Sequence, residues 1–474
     1  MKKVVMLAAF GGLLALAAVL PDPPPPQEPT FSGPETPDVG AEARGSVWYC
    51  VWQESGDIRD ATYNLASIPA TEATITLPSP LPAQPPDSAA FTLPSPGARI
   101  LNVAEVVRLG PAPGFIEYDD GPAGTSTAMT AVDLLTGDRC VRSVSRLWQL
   151  PGGTTRDGTT MTLRIFNPFP ELAKVTVTGT SEFGTEPLPD LTAIDVAGRS
   201  WRDFDLNPIV PFLDDLVLTV STEEGVVIPS VVVRQGEDDE ASWPGTGLAS
   251  NWYFPVARQE ELIPELVVWN PGAASISVEV DAYTVDGPVP GVAAFDVEGG
   301  VPMRVPLDDV AEGGFGIHVR ATGSVSAVVV ATSPTDVLVV EETPPDDAST
   351  DEPTGELVTE VVRTGGTIGS SELAAKWLLP GAGSAPDAAS TLWIMNPNPE
   401  AVTATLQPLG VRALQPSKLQ VEPGTLLQVP LDEEPQVGGY LVESTLPVAV
   451  AWSAHAPRGI AYFAGISIGD EAGG

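Results

Sequence analysis

The sequence predicts an all-β protein built from tandem immunoglobulin-like β-sandwich modules, which follow an N-terminal signal segment and a Pro-rich spacer. Three observations support this fold class. Runs that alternate apolar and polar residues recur between turn-forming residues, as at 174–178 and 276–280. After residue 25, Gly or Pro interrupts almost every candidate helical pattern. A strand-like run that ends in Asn-Pro also returns along the chain, which indicates a repeated module.

The repeat combines this Asn-Pro run with a tryptophan that precedes the asparagine by 18 or 19 residues. Its three clear copies are Trp148 with Asn167-Pro168, Trp252 with Asn270-Pro271, and Trp377 with Asn396-Pro397. A weaker fourth copy leads the chain, with Trp48 placed 16 residues before Asn64, where Leu65 stands in place of the proline. The recurrence predicts four modules of similar design.

The residue types in the repeat favour a structural role. Proline cannot donate a backbone hydrogen bond and forces its predecessor into extended geometry. The preceding asparagine can close an Asx turn, so the motif predicts a strand that ends in a tight corner. A tryptophan at one fixed place per module is typical of a core residue. The alternatives are asparagines that line a binding surface and tryptophans that stack on sugars.

The amino terminus predicts export. Lys2 and Lys3 precede an apolar run over residues 4–20, and Ala15-Leu16-Ala17 supplies a small-x-small cleavage site. Residues 1–20 are therefore a signal peptide, with an uncleaved membrane anchor as the alternative. Residues 21–44 are Pro-rich and acidic, which indicates an extended spacer.

Strand and turn patterns then divide the chain into modules and linkers. The predicted β-sandwich modules cover residues 45–142 (the most divergent), 143–235, 251–342 and 373–468, with acidic linkers at 236–250 and 343–372. An aromatic run returns at 461–465 and no Asn-Pro strand follows it. We therefore expect this run, with Tyr462, to complete the preceding module, which would make the array of modules stiff.

Two cysteines, Cys50 and Cys140, suit an exported protein. An even count in an oxidising compartment predicts one disulfide, which would enclose most of the first module. Zinc ligation is the alternative, but two isolated cysteines and two distant histidines do not match a zinc pattern.

The charge balance excludes one large class of partners. The chain carries 23 basic and 62 acidic residues, a net charge of −39. Such a surface repels nucleic-acid phosphates and anionic lipids, so we expect no nucleic-acid binding and membrane contact only through the N-terminal segment.

Sequence patterns for catalysis or cofactors are weak. Residues 465–469 match G-x-S-x-G around Ser467, but the nucleophile elbow needs a following helix and a later histidine, and neither is present in the sequence. Acidic pairs such as Asp214-Asp215 and Asp308-Asp309 are too common here to identify a glycosidase site. We predict no cofactor, with a weak indication of calcium bound by acidic loops.

The export signal, the Pro-rich spacer, the opening Trp48-Tyr49-Cys50 and the repeated Asn-Pro strands together resemble a known group. It consists of secreted proteins of high-GC Gram-positive bacteria, described only as a family with a domain of unknown function. The resemblance covers residues 45–468 and implies no activity or site residues. Bacterial immunoglobulin-like surface modules are the broader match.

These observations predict a non-enzymatic scaffold or interaction protein of the cell envelope or extracellular space. Its expected partner is an unknown protein or a cell-wall polysaccharide. One alternative is a carbohydrate-binding surface protein, for which Trp52, Trp243 and Trp393 are the candidate exposed aromatics because they lie outside the repeated position. The other alternative is a hydrolase that uses an unrecognised carboxylate pair.

Overall fold

The computed structural model describes most of the chain after residue 45: residues 46–56, 59–79, 84–106, 110–131, 134–235, 239–259, 262–333, 336–340, 357–361, 363–385, 388–410, 415–431, 437–456 and 459–468. The predicted signal segment (1–20) and spacer (21–44) lie outside these residues. In the described chain the only helical turns are two 3-10 segments, Val103–Glu105 and Pro189–Leu191. Within the same residues, no helix has the length and apolar character needed to cross a membrane. The all-β sandwich prediction is confirmed.

The first module forms two four-stranded sheets. Its described strands are β1 (Ser46–Cys50), β2 (Glu54–Ser55), β3 (Arg59–Ser67), β4 (Thr71–Leu77), β5 (Asp87–Leu93), β6 (Gly97–Asn102), β7 (Gly110–Pro111), β8 (Gly114–Tyr118), β9 (Ala123–Ala131) and β10 (Leu134–Arg139). One sheet has the order β1-β8-β4-β5 and the other β10-β9-β3-β6, while β2 pairs with β7.

The second module has the same two sheets. Its described strands are β11 (Leu147–Gly153), β12 (Thr159–Asn167), β13 (Ala173–Ser181), β14 (Gly184–Pro187), β15 (Ile194–Val196), β16 (Ser200–Asp205), β17 (Leu216–Glu224), β18 (Ile228–Gln235) and β19 (Asp239–Pro244). The orders are β11-β17-β13-β14, with β15 also paired to β13, and β16-β12-β18-β19.

In the third module one long strand serves both sheets. The described strands are β20 (Ala249–Arg258), β21 (Ile263–Trp269), β22 (Ile276–Thr284), β23 (Gly287–Val297), β24 (Met303–Pro306), β25 (Phe315–Thr332), β26 (Asp336–Val340), β27 (Leu357–Val361) and β28 (Thr364–Ile368). The first part of β25 pairs with β20 and β22, and the second part pairs with β21 and β28. Strands β26 and β27 pair with each other.

The fourth module repeats this plan. Its described strands are β29 (Ala374–Pro380), β30 (Ala389–Met395), β31 (Val402–Gly410), β32 (Ser417–Val421), β33 (Leu426–Leu431), β34 (Val437–Ala456), β35 (Gly459–Ala464) and β36 (Ile466–Ser467). Strand β34 pairs with β29 and β31 in one sheet and with β30 and β35 in the other. The terminal aromatic run is therefore a strand of the fourth module itself.

All four modules share eight strand positions, which we name a to h in chain order. In the second module they are β11, β12, β13, β14, β16, β17, β18 and β19. In the third and fourth modules the two parts of β25 and of β34 occupy positions f and g. Positions a, f, c and d form one sheet and positions e, b, g and h form the other. An immunoglobulin domain instead pairs its first two strands within one sheet, in the order A-B-E-D opposite C-F-G. Here the consecutive strands a and b lie in different sheets, so the modules are sandwiches, as predicted, but their strand order is not that of an immunoglobulin domain.

The repeated tryptophans mark the place where the chain passes from position f to position g. Each lies buried on strand a, and its indole N–H donates to a backbone carbonyl at that crossing. The four bonds are Trp48 to Ala123, Trp148 to Val227, Trp252 to Val325 and Trp377 to Val448, at 2.8–3.0 Å. The indole thus fills the core and satisfies a carbonyl at the point where the chain changes sheets.

The repeated asparagines form the corner after strand b. Each is buried, and its Oδ1 accepts from the backbone N–H two residues later, at 2.9–3.1 Å. Its Nδ2 donates to the carbonyl four residues later and to a carbonyl before strand e. The pairs of acceptors are Glu171 and Val196 for Asn167, Ala274 and Val297 for Asn270, and Glu400 and Val421 for Asn396.

In the first module Asn64 does not occupy this corner. Strand β3 continues to Ser67, which pairs with Gly97 in the register that places Asn167 opposite Ser200. Ser67 lies 19 residues after Trp48, so the equivalent residue also restores the spacing of the other copies. The alignment of Asn64 with the repeat was therefore wrong by three residues.

The predicted linkers contain strands that join the modules. Strand β19 lies within 236–250, and β27 and β28 lie within 343–372. Strands β19 and β28 occupy position h, as β10 and β35 do. The h strands contact one another in a closed cycle, β10 with β19, β19 with β28, β28 with β35, and β35 with β10. The four modules therefore pack as a ring, an arrangement that the sequence did not predict.

Glycines and aromatic residues complement each other where the h strands meet. A Cβ atom on Gly366 of β28 would lie 2.5 Å from Cε3 of Trp243 on β19. Gly365 is equally close to Tyr462, and Gly137 of β10 lies against the Phe463 ring. The aromatic strands β19 and β35 thus alternate with the glycine-bearing strands β10 and β28. The missing side chains let the modules approach closely.

The corner asparagines provide a test of the repeat. Replacing Asn270 with Ala removes three hydrogen bonds and leaves buried backbone groups without partners, so we expect a loss of about 2–4 kcal/mol in unfolding free energy. The matched control is Asn64→Ala, which removes an equally buried amide whose Nδ2 bond to Ser126 is longer, at 3.3 Å. Urea denaturation should show the larger shift for Asn270→Ala; equal shifts would refute the corner's role.

The ring contacts give a second test. Adding a methyl group at Gly366 forces Trp243 to move, and overpacking of this kind costs about 1–3 kcal/mol. Gly247→Ala is the control because a Cβ there meets nothing within 4 Å, and it should change stability by less than about 0.5 kcal/mol. Denaturation midpoints of the full chain measure both effects, and a neutral Gly366→Ala would contradict the close packing.

Candidate functional site

The tryptophans predicted to be exposed are buried. Trp52, Trp243 and Trp393 are 7%, 0% and 1% exposed, and each lies where modules meet. The Arg164 guanidinium of the second module lies 4.2 Å from the Trp52 ring, and Trp393 packs on Gly314 of the third module. Nine of the ten tryptophans are buried and Trp201 is partly buried. The prediction failed because exposure depended on contacts between modules, which the local pattern does not report.

The other residues singled out from the sequence also make contacts within the fold. Cys50 and Cys140 form a disulfide between the ends of β1 and β10, which joins the two sheets of the first module. Ser467, in the G-x-S-x-G match, lies on the short strand β36 and its Oγ donates to Glu372 at 2.5 Å. His318 stacks on Tyr253, and its pKa falls to about 4, mainly because of burial, with Arg320 adding to the effect.

For calcium the described residues offer no cluster. Among them, no group of three or more His, Cys, Asp or Glu side chains is arranged to hold a metal ion.

A cleft of about 190 Å³ lies between the second and third modules. The second module lines it with residues near the start of β12, from the segment before β17 and from the end of β18. The third module contributes residues of β21, β24, β25 and β28. The polar or charged lining residues are Thr154, Arg156, Thr159, Asp214, Asp215, Gln235, Glu265, Arg304, Thr332 and Thr364.

Arg304 is the centre of the cleft's charge network. Its Nε donates to Asp215 at 2.5 Å and its Nη1 donates to Glu265 at 2.8 Å. Its Nη2 donates to the Asp214 carbonyl at 3.3 Å. Burial alone would lower the pKa of Arg304, but the two carboxylates outweigh burial and raise this pKa above its ordinary value. Arg304 therefore stays charged and joins the two modules.

A rim of two exposed phenylalanines lies beside this network. Phe183, in the turn between β13 and β14, is 77% exposed, and Phe212 is 73% exposed. The Glu182 carboxylate holds the two segments together, because it accepts from the backbone N–H groups of Asp214 and Asp215, both at 3.3 Å. The two segments that carry the phenylalanines are thus joined to each other at the edge of the polar cleft.

The Phe212 backbone is held in an unfavourable conformation. Its φ is 62°, in the left-handed region that a bulky side chain seldom adopts. The neighbouring contacts fix it there: the Phe212 N–H donates to the Thr155 carbonyl at 3.0 Å, and the Leu213 N–H donates to Thr155 Oγ1 at 3.1 Å. The buried Leu213 keeps this loop against the module while Phe212 faces solvent.

The sequence contained only part of the signal for this cleft. Asp214-Asp215 is one of many acidic pairs, and Arg304 lies in a segment, 304–308, that resembles the fourth module. Asp215 and Arg304 are 89 residues apart, so their pairing follows from the packing of modules. Phe183 and Phe212 lie in loops where local pattern gives no indication of exposure.

Comparison with known proteins finds a family model that matches part of the chain. Residues 122–343 match the model of the family of unknown function DUF5719. The match includes every residue that lines the cleft except Thr364, and it supports the resemblance to a family of unknown function over less of the chain than residues 45–468. No curated protein matches. A tetra-tandem repeat from the extending region of a large adhesion protein is 11% identical, aligned over 84% of this chain and 91% of its own, with a TM-score of 0.10 that carries no structural argument.

A buried acidic residue near the cleft makes stability depend on pH. Asp239 of β19 pairs with Gln235 and faces Thr364, both of which line the cleft. Burial raises the pKa of Asp239 from 3.8 to about 8, and the Glu240 carboxylate adds to the rise. Thr364 and Arg363 oppose it. On the other side, Arg234 pairs with Glu240 at 2.9 Å.

The expected pH effect has a definite sign. Below pH 4 Asp239 is protonated in both the folded and unfolded chain, and its contribution is fully present. Between pH 4 and 8 the unfolded chain alone ionises there, so stability falls by up to about 1.4 kcal/mol per pH unit. Denaturation midpoints of wild type and Asp239→Asn should diverge in slope over this range, while the exposed control Asp286→Asn should follow wild type. Parallel slopes for Asp239→Asn would contradict the assignment.

Proposed function

We propose that this chain is an exported, non-enzymatic scaffold or interaction protein of the cell envelope or extracellular space. The observation that carries the proposal is the use of the repeated residues. Buried asparagines form the corners after strand b, and buried tryptophans donate hydrogen bonds to the carbonyls where the chain changes sheets. The h strands join the four modules into one ring. A rigid ring of this kind holds its surface loops in fixed positions, which suits a protein that binds partners through loops.

The cleft supports a binding role over a hydrolytic one. A glycosidase needs two carboxylates that are available to the substrate, one as an acid and one as a base or nucleophile. Here Asp215 and Glu265 are both bonded to Arg304. One oxygen atom of each carboxylate is therefore engaged in joining the modules.

Export rests on the N-terminal segment and on the chemistry of the remainder. The apolar run after Lys2-Lys3, the Cys50–Cys140 disulfide and the acidic composition all suit an extracellular environment. The resemblance to secreted proteins of high-GC Gram-positive bacteria supports the same proposal. The burial of Trp52, Trp243 and Trp393 removes the basis for a tryptophan-dependent carbohydrate-binding function, so a protein is the favoured partner.

Fractionation and activity assays test this function together. The full chain should reach the envelope or medium, and deletion of residues 2–20 should retain it in the cytoplasm. The purified protein should leave peptidoglycan and soluble cell-wall polysaccharides intact. An unchanged distribution after the deletion would refute export. Hydrolysis that is lost in Asp215→Asn and Glu265→Gln would refute the non-enzymatic assignment.

A further inference from the structure

We propose that the cleft between the second and third modules, with its Phe183–Phe212 rim, binds an extended segment of a partner protein that presents a basic side chain beside apolar ones. The inference rests on the proposed interaction function and names the class of its partner. The lysine or arginine side chain would enter the cleft, and the apolar neighbours would cover the two phenylalanines.

The rim is the first argument. Phe183 and Phe212 are the most exposed of the large hydrophobic side chains among the described residues, with Val285 next at 57%. Aromatic side chains that become buried on association contribute strongly to protein–protein binding. Their two segments are joined beside the cleft by the Glu182 hydrogen bonds, so both side chains offer apolar area there whose burial would favour association.

The conformation of Phe212 is the second argument. A non-glycine residue in the left-handed region is strained and persists where surrounding contacts impose that conformation. The bonds to Thr155 and the burial of Leu213 impose it here. The structure thus holds a phenylalanine toward solvent against its backbone preference, at the edge of a cleft. Strain of this kind concentrates at binding sites.

Charge selects the ligand class. The carboxylates of Glu182, Asp214, Asp215 and Glu265 surround the cleft and its rim, against the guanidinium groups of Arg156 and Arg304. Arg304 is already bonded to two of these carboxylates, while Asp214 is exposed at the rim. The whole chain adds a field of −39 charges. Together these charges favour a cationic group and repel an anionic one.

The size and lining of the cleft suit a single side chain. About 190 Å³ is too small for a folded element but admits one long side chain. The hydroxyl oxygens of Thr154, Thr159 and Thr332 can accept hydrogen bonds from an ammonium or guanidinium group. The apolar parts of the lining, Val233 and Val330, would contact the methylene stem of the ligand.

The probe is a fluorescein-labelled peptide of alternating leucine and lysine, titrated into the full chain and followed by anisotropy. A peptide of alternating leucine and glutamate and a soluble cell-wall polysaccharide are the comparison ligands. We expect saturable binding of the basic peptide that weakens as salt rises, because charge contributes to it.

Three variants locate the binding. Phe183→Ser with Phe212→Asn removes the rim, and asparagine tolerates the left-handed backbone at 212, so the fold should persist. We expect at least a tenfold loss of affinity in this double variant and a severalfold loss in Asp214→Asn. Val285→Ser is the matched control, since Val285 is exposed in the turn after strand c of the third module, as Phe183 is in the second. Its affinity should equal that of wild type.

The contrary outcomes are distinct. Equal binding of the acidic peptide, unchanged affinity in the rim variant, or rim-dependent binding of the polysaccharide alone would each overturn the proposed ligand class. An exported protein that fails to bind the peptide refutes this inference and leaves the scaffold function standing. A protein retained in the cytoplasm refutes the proposed export, whatever the peptide result.

Discussion

Each module depends on one crossing, where the chain leaves one sheet at position f and enters the other at position g. A strand that changes sheets exposes a backbone carbonyl to the core, and burial of an unpaired carbonyl is costly. The repeated tryptophan on strand a satisfies that carbonyl with its indole N–H, as Trp252 does for Val325. The corner asparagine stabilises the neighbouring chain reversal after strand b. The two sheets are therefore joined by buried hydrogen bonds as well as by apolar packing.

The ring follows from what these modules leave unpaired. Position h lies at the edge of its sheet, and an uncovered edge invites pairing with other chains. The four h strands cover one another, since each lies against at least two others around a closed cycle. Small residues make this possible, because Gly137, Gly365 and Gly366 leave room for the rings of Phe463, Tyr462 and Trp243. The contacts among the h strands therefore join the four modules into one compact unit.

The cleft is a consequence of the same packing. Arg304 and Asp215 belong to different modules and come together only because β24 and the segment before β17 face each other. The network holds the modules at a fixed separation, which preserves a polar space between them. Phe183 and Phe212 lie in two separate segments beside it, which hydrogen bonds of Glu182 and Thr155 hold in place. The contacts that join the two modules therefore also position the candidate binding surface.

The sequence alone determined the all-β class and the recurrence of tryptophan and asparagine, because strands, corners and turns depend on residues close along the chain. It also predicted the disulfide between Cys50 and Cys140, which the structure contains. The tertiary structure decided the strand order, since several orders satisfy the same alternating pattern. It also decided which residue lies at the corner position of the first module, because the pairing of β3 with β6 places Ser67 there and not Asn64. Burial of Trp52 beside Arg164 and of Trp393 on Gly314 joins residues roughly 80 to 110 positions apart. Such contacts depend on shape complementarity between modules, which no local pattern encodes.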